Sequence, residues 1–306
     1  WALAYRLTGT AYDADDLVQE TFVRAMSRPP KDQTLDWRPW LTRVCVNLGR
    51  DLLRRRRRRG YEGTWLPQPI ETDDEPPSYE PSSPSDSSPM ARFDLIESVS
   101  LAFLLAIEAL SPMQRAVLLL RDVFDYSGQE TAAALGISAV NVRTTHLRAR
   151  RAMRTYENER SKGRIGSKGE ARRVLEHFLS CLSSGDVAGV EALLAVEVRA
   201  LSDAGGEFHA NVRPVTGRAN VAAALLGLAR KSAPVMRQEW TTVNGQSAVL
   251  VERQTRPGFA ARFLMTVDLD AEGRIRCLYA VLASAKLLAI GRRSAWDERP
   301  TEERER

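Results

Sequence analysis

The chain has 306 residues, 43% of them hydrophobic, enough for two or three domains with real cores. Three scattered cysteines, Cys45, Cys181 and Cys277, are odd in number and lack metal spacing. They exclude a disulfide-stapled scaffold and a cysteine metal site, and they fit a reducing cytoplasm. The net charge of +5 is unevenly placed: residues 1–60 hold 13 basic and 7 acidic side chains, residues 61–92 hold 1 and 7. A basic block, an acidic spacer and a basic helix further on point to nucleic acid contacted at two places. No signal peptide or membrane span is visible, so no membrane partner is expected. Trp1 falls in mid-helix by its pattern and is not Met, so further residues are expected before it.

Asp13 to Ala25 (DADDLVQETFVRA) predicts an amphipathic helix that buries Ala14, Leu17, Val18, Thr21 and Ala25. Asp16, Gln19 and Glu20 share its exposed side, which on residues alone is an ordinary solvated face. Trp37 to Arg58 predicts a second helix, with Trp37, Trp40, Leu41, Val44, Leu48 and Leu52 at core spacing. Its other side carries Arg43, Asn47, Arg50, Asp51 and Arg54 and runs into six consecutive arginines, Arg54–Arg59. Trp40 reads as core; Trp37 reads either as core or as a platform for an unpaired base.

Residues 61 to 91 hold seven prolines and six serines among acids and predict an extended linker. One island interrupts it, Trp65-Leu66-Pro67-Gln68-Pro69. A stiff, Pro-flanked apolar pair loses little entropy on docking and is an anchor candidate.

Ser111 to Met153 predicts a helix-turn-helix ending in an Arg-rich helix, with Ser127–Leu135 as a short helix before the turn. Gly136 suits the left-handed turn and Ser138 caps the next helix. On that helix Val142, His146, Ala149 and Met153 share one face, with His146 expected buried and neutral. Val140, Asn141, Arg143, Thr144, Leu147, Arg148 and Arg151 take the other. From Ser138 to Arg154 there are five arginines and no acid. A polar first turn and a basic end suit a DNA major groove.

In order and spacing, these three segments resemble bacterial sigma factors of the extracytoplasmic-function (ECF) type. The resemblance implies two all-α domains, the second a helix-turn-helix, with core RNA polymerase and promoter DNA as partners. It implies that Asp16, Gln19 and Glu20 contact polymerase. It places Trp37, Asn47, Arg50 and Arg54 at the −10 element, and Asn141, Arg143, Thr144, Arg148 and Arg151 at the −35 groove.

The C-terminal third begins after the glycine-rich Gly163–Gly169. Ala171–Ser183 reads as an amphipathic helix, and Asp186 caps a second one. Strand-like runs follow at Glu197–Ser202, Met236–Val243, Ser247–Arg253, Ala261–Asp268 and Arg274–Leu282, with a helix at Arg218–Arg230 and a hairpin turn at Asn244-Gly245. Helices followed by a curved antiparallel sheet predict an α+β cone. It resembles the SnoaL-like domain of the nuclear-transport-factor-like superfold, which a subgroup of these sigma factors carries at the C-terminus. In that resemblance Trp65, Leu66, Pro67 and Pro69 belong to a linker motif, with Gln68 where Glu is usual. Asp203, Gly205 and Gly206 belong to an Asp-Gly-Gly-Gly-Lys loop that Ala204 and Glu207 alter. Ala283-Ser284-Ala285-Lys286-Leu287 stands for Asn-Pro-Asp-Lys-Leu.

The expected organisation is therefore a polymerase- and −10-binding domain (1–60), an acidic linker (61–92), a −35-binding domain (93–160), a regulatory cone (167–290) and a charged tail (291–306). Asp203 and His209 are the only acid–base candidates in the cone, and an ordinary turn Asp and surface His explain them. No catalytic residue, metal or cofactor is expected, and a small ligand in the cone stays open. The expected role is a polymerase sigma factor whose cone docks on the linker anchor. The alternative is a one-component DNA-binding regulator sensing a ligand in the cone.

Overall fold

The computed structural model describes residues 1–30, 32–34, 36–59, 61, 63–72, 98–162 and 168–291. Most of the acidic spacer, the break at 163–167 and the tail beyond Gly291 lie outside the described residues.

Helices α1 (Ala2–Thr8), α2 (Ala11–Ser27) and α3 (Arg38–Arg59) form the first unit. Gly9 (φ 75°) ends α1 in the left-handed conformation, and Thr10 caps α2 by accepting from the Asp13 amide. Ala14, Leu17, Thr21 and Ala25 are buried on α2 and Val18 is half-buried.

The phase of α3 differs from its expected stripe. Thr42, Cys45, Val46, Leu48, Gly49 and Leu53 are buried, whereas Trp37, Trp40, Leu41 and Leu52 are only half-buried. Small residues turned the helix. A Cβ on Gly49 would lie 2.2 Å from Leu7 Cδ2, so α1 and α3 approach through a gap that only glycine leaves. The two tryptophans instead pack edge to face on each other, 6.3 Å between centroids.

The second unit is α4 (Leu101–Glu108), α5 (Pro112–Leu118), a π-helical turn (Leu119–Val123), α6 (Gly128–Leu135) and α7 (Ala139–Lys162). Ser111 and Ser127 each make a reciprocal capping box, with Gln114 and Glu130. Gly136 (φ 64°) makes the turn of the helix-turn-helix, and Ser138 Oγ accepts from the Asn141 amide. Val142, Ala149 and Met153 are buried on α7. His146 is not buried: it is about a quarter exposed and its Nε2 lies 2.7 Å from Asp122, which Arg150 also reaches at 3.3 Å. The π-helical turn leaves Asp122 facing α7 at that level.

Both helical units share one apolar cluster, running from Tyr5 and Leu7 through Val46 and Leu53 to Leu104, Leu119 and Val142. Two fully buried arginines cross the seam. Arg115 donates to Leu7 O (2.7 Å) and pairs with Glu108 (2.9 Å), and Arg6 donates to Ser98 Oγ (2.7 Å). Each guanidinium satisfies carbonyl or hydroxyl groups that burial would otherwise orphan.

The cone comprises α8 (Lys168–Ser184), α9 (Val187–Leu193), β1 (Leu194–Asp203), β2 (Val215–Thr216), α10 (Arg218–Lys231), β3 (Val235–Val243), β4 (Gln246–Arg253), β5 (Arg262–Leu269) and β6 (Ile275–Val281). The sheet order is β2-β1-β6-β5-β4-β3. It is not wholly antiparallel, because β1 and β6 pair in parallel, with Asp203 opposite Val281. The helix α10 between β1 and β3 and the meander that follows bring β6 back beside β1. Asn244 (φ 52°) and Gly245 (φ 76°) form the β3–β4 hairpin turn.

Strand alternation divides the cone into two cores. Val249, Val251, Phe263, Met265, Leu278 and Ala280 face the helices α8–α10. Ala248, Leu250, Leu264, Cys277, Tyr279 and Val281 face the opposite way and pack with Leu66 and Leu101. The outer face of the sheet is thus covered by the linker and by α4.

Candidate nucleic-acid interface and its junction with the cone

On α7, Asn141, Arg143, Thr144, Arg148 and Arg151 are all exposed, as are Val140 (73%) and Leu147 (68%). Only Val142, Ala149 and Met153 anchor this stretch, so a continuous polar and basic face stands clear. On α3, Asn47 and Arg54 are exposed and Arg50 is half-buried, as is Trp37 just before the helix. Arg50 donates to Asn47 (3.3 Å) and Arg54 to Asp51 (3.4 Å), exposed pairs that give way easily to phosphate. On α2, Asp16, Gln19 and Glu20 are exposed beside Phe22 (54%), Val23 (51%) and Met26 (78%). Such an apolar and acidic face is what a protein partner covers.

The two helical units touch directly. The Arg43 guanidinium of α3 lies against the Gly136 turn, where a Cβ would meet it at 2.6 Å, and Thr42 Oγ1 is 3.1 Å from the Tyr126 hydroxyl.

The linker island is gripped rather than extended into solvent. Leu66, Pro67, Gln68 and Pro69 are buried. The fully buried Asp203 carboxylate accepts from the Leu66 amide (2.7 Å), the Tyr61 hydroxyl (2.6 Å), the Gly205 amide (3.1 Å) and Lys286 Nζ (2.6 Å). Lys286 Nζ also donates to Leu66 O (2.5 Å), so both backbone groups of Leu66 are held by one ion pair. Burial pushes the Lys286 ammonium down, against the upward pull of Asp203; burial first, then the Asp203 hydrogen bond, pushes the Tyr61 hydroxyl up. Gly205 (φ 58°) and Gly206 (φ 78°) form the exposed left-handed turn that lets the chain fold back on Asp203. Glu207 accepts from the Ser284 amide (3.1 Å), so the altered loop still binds the Lys286 segment.

Trp65 is wedged between units. Arg56 of α3 stacks on it at 3.9 Å, Lys286 Nζ lies 4.8 Å from its ring, and a Cβ on Gly9 would clash with it at 2.6 Å. Gln68 continues the bridge. Its amide donates to Gly9 O (2.8 Å), and its side-chain oxygen accepts from the Ala11 amide (3.0 Å) at the start of α2. Its carbonyl accepts from Tyr5 (2.8 Å), whose hydroxyl accepts from Asn244 (2.7 Å). Asn244 reaches Val99 O as well (2.7 Å), and Thr72 joins the β3 edge through Thr242 O (2.9 Å). Residues 66–72 thus tie α1, α2, the second helical unit and the sheet together.

Of this junction, sequence reasoning singled out Trp65, Leu66, Pro67, Pro69, Asp203, Gly205 and Gly206. It missed Lys286, Tyr5, Tyr61, Arg56 and Asn244 as partners. Lys286-Leu287, the intact end of an altered motif, was the one available signal.

Comparison with known proteins matches the same units. The family described as Sigma-70 region 2 matches residues 1–59, and Sigma-70, region 4 matches residues 100–153. With the α+β cone that follows, these define the class, a Sigma-70-type factor with an added C-terminal domain. ECF RNA polymerase sigma factor SigJ of Mycobacterium tuberculosis is 33% identical over 249 residues, 80% of this chain and 75% of that protein. SigG of the same species is 34% identical over 219 residues, 64% of this chain and 56% of its own length. The crystal structure of M. tuberculosis SigJ superposes with a TM-score of 0.69 at 27% identity, covering 94% of this chain and 93% of that one. The chain belongs to the ECF RNA polymerase sigma factors, and its likeness to SigJ runs through the cone. Among the described residues no helix is long and apolar enough to cross a membrane.

Proposed function

We propose that the chain directs promoter-specific initiation by core RNA polymerase in the cytoplasm, without chemistry of its own, and that its cone modulates that role. Polymerase docks on the α2 face around Asp16, Gln19 and Glu20. Trp37, just before α3, and the α3 residues Asn47, Arg50 and Arg54 take the −10 strand, and the exposed α7 face takes the −35 groove. Capture of unpaired bases beside a basic track offsets the energy of opening the duplex.

The observation that carries the modulation is the packing of α3 on the Gly136 turn while Asp203 and Lys286 hold Leu66. Positions −35 and −10 are about 85 Å apart along straight DNA at 3.4 Å per base pair. Packed helices lie about 8–10 Å apart. The described arrangement is therefore a closed one, and reading both elements requires the units to part. The cone, Tyr61 and residues 63–72 favour the closed form by tying both units to one sheet.

The test is run-off transcription with bacterial core polymerase on the DNA upstream of the gene, comparing the wild type with a Trp65→Ala/Leu66→Ala variant. A promoter-specific transcript whose yield rises in the variant is expected. Equal yields would refute the modulation. Failure of both proteins to bind polymerase would favour the one-component regulator.

A further inference from the structure

The cone holds a cavity of about 910 Å³, open to solvent on one side, on the face of the sheet opposite the linker junction. A volume of this order seats a drug-sized molecule. Its body is apolar, with Leu225, Phe259, Phe263 and Met265 in the wall. Among the described residues no Asp or Glu lines it. The ionisable lining residues are Arg253 together with Lys231 and His209, both exposed.

Arg253 is the unusual one. It stands at the end of β4 with its guanidinium against the face of Phe263, 4.6 Å from the centroid. Among the described residues no carboxylate or carbonyl engages that guanidinium, and its Nε is buried without a partner. The adjacent acid Glu252, on the opposite side of β4, pairs with Arg262. Burial alone pushes Arg253 below the ordinary arginine range. Arg253 is half-buried; a partly desolvated guanidinium without a counter-ion is costly, and one set in the wall of an apolar chamber suits an anion there.

We propose that the cone binds a small apolar molecule carrying one carboxylate, its body in the chamber and its carboxylate on Arg253. A single guanidinium fork matches the two oxygens of a carboxylate, whereas a phosphate dianion would need a second buried cation. This site does not depend on the sigma-factor reading, since it rests on the cone alone.

Three probes sharing one tail test it on the full chain by titration calorimetry below their micellar concentrations: decanoate, decanol and decylammonium. Decanoate is expected to bind at least tenfold more tightly than decanol, with decylammonium weaker still. Arg253→Met keeps the length and removes the unpaired charge, so it should melt no lower than the wild type. It should lose the tenfold preference and leave decanol unchanged. Gly227→Leu supplies a second handle, because Gly227 lines the chamber and a Cβ there meets nothing within 4 Å. Filling that space should weaken decanoate and decanol alike while the protein stays folded. Equal binding of decanoate and decanol by the wild type, a preference that survives Arg253→Met, or no binding of any probe would each overturn the proposal.

Discussion

Replacing Asp203 by Ala removes the acceptor of four donors at once: Leu66 N, Tyr61 OH, Gly205 N and Lys286 Nζ. Tyr61 and Gly205 are exposed enough to turn to water, but Lys286 and the Leu66 amide are buried. Breaking a buried ion pair by deleting one partner costs about 3–5 kcal/mol, most of it from the charge left behind. If that energy holds the linker on the cone, the docked-to-undocked ratio falls roughly a hundredfold to several-thousandfold. Hydrogen exchange of the Gln68 and Thr72 amides reads this, because their own acceptors, Gly9 O and Thr242 O, are untouched. Their protection should fall by that factor while the β5–β6 ladder stays protected. Adding Lys286→Met should restore at least half of the loss in free energy, since no charge is then stranded. A change below threefold at Gln68 and Thr72, or an equal loss throughout β5 and β6, would refute the reasoning.

Gly9→Ala should destabilise the protein by about 2–4 kcal/mol in urea unfolding, from left-handed strain and from the clash with Trp65. Burial raises the Tyr5 hydroxyl well above its usual range. The unfolded chain then loses that proton near pH 10 while the folded chain keeps it, so the Tyr5 contribution is full below pH 10 and is lost as pH rises. Its share of the decline approaches about 1.4 kcal/mol per pH unit, and Tyr5→Phe should flatten the curve of urea midpoints between pH 9.5 and 11.5 by about that slope. Arg148→Ala on the exposed α7 face should weaken promoter binding similarly across −35 sequences and lower the salt slope by about one, read by anisotropy at several salt concentrations.

Features carried by local chemistry were legible in the chain. The α2 stripe, the Gly136 turn with its Ser138 cap, and the Asn244-Gly245 hairpin each follow from residues within a few positions of one another. The phase of α3 was not legible, because its decisive contact is Gly49 against Leu7, some forty residues away, and a glycine carries no apolar signal. The parallel β1–β6 pair and the two-residue β2 depend on where α10 returns the chain. Within the junction, Trp65-Leu66 stood out only because it interrupts a polar linker. Gln68 and Asn244 look like ordinary loop residues, and their roles appear once Tyr5 places a hydroxyl between them. Arg253 gave no hint at all, since a strand-ending arginine is normally solvated.

Residues 66–72 belong to the same covalent chain as every surface they join. Their release is therefore a first-order event, set by an effective concentration that the fold itself defines. An inhibitor supplied as a separate molecule falls off on dilution and must be titrated against its target. Under the proposed modulation the fraction released is the same whether a cell holds few copies or many. Output would scale in direct proportion to synthesis, with no threshold to cross, and only a change in the internal equilibrium would alter that proportion.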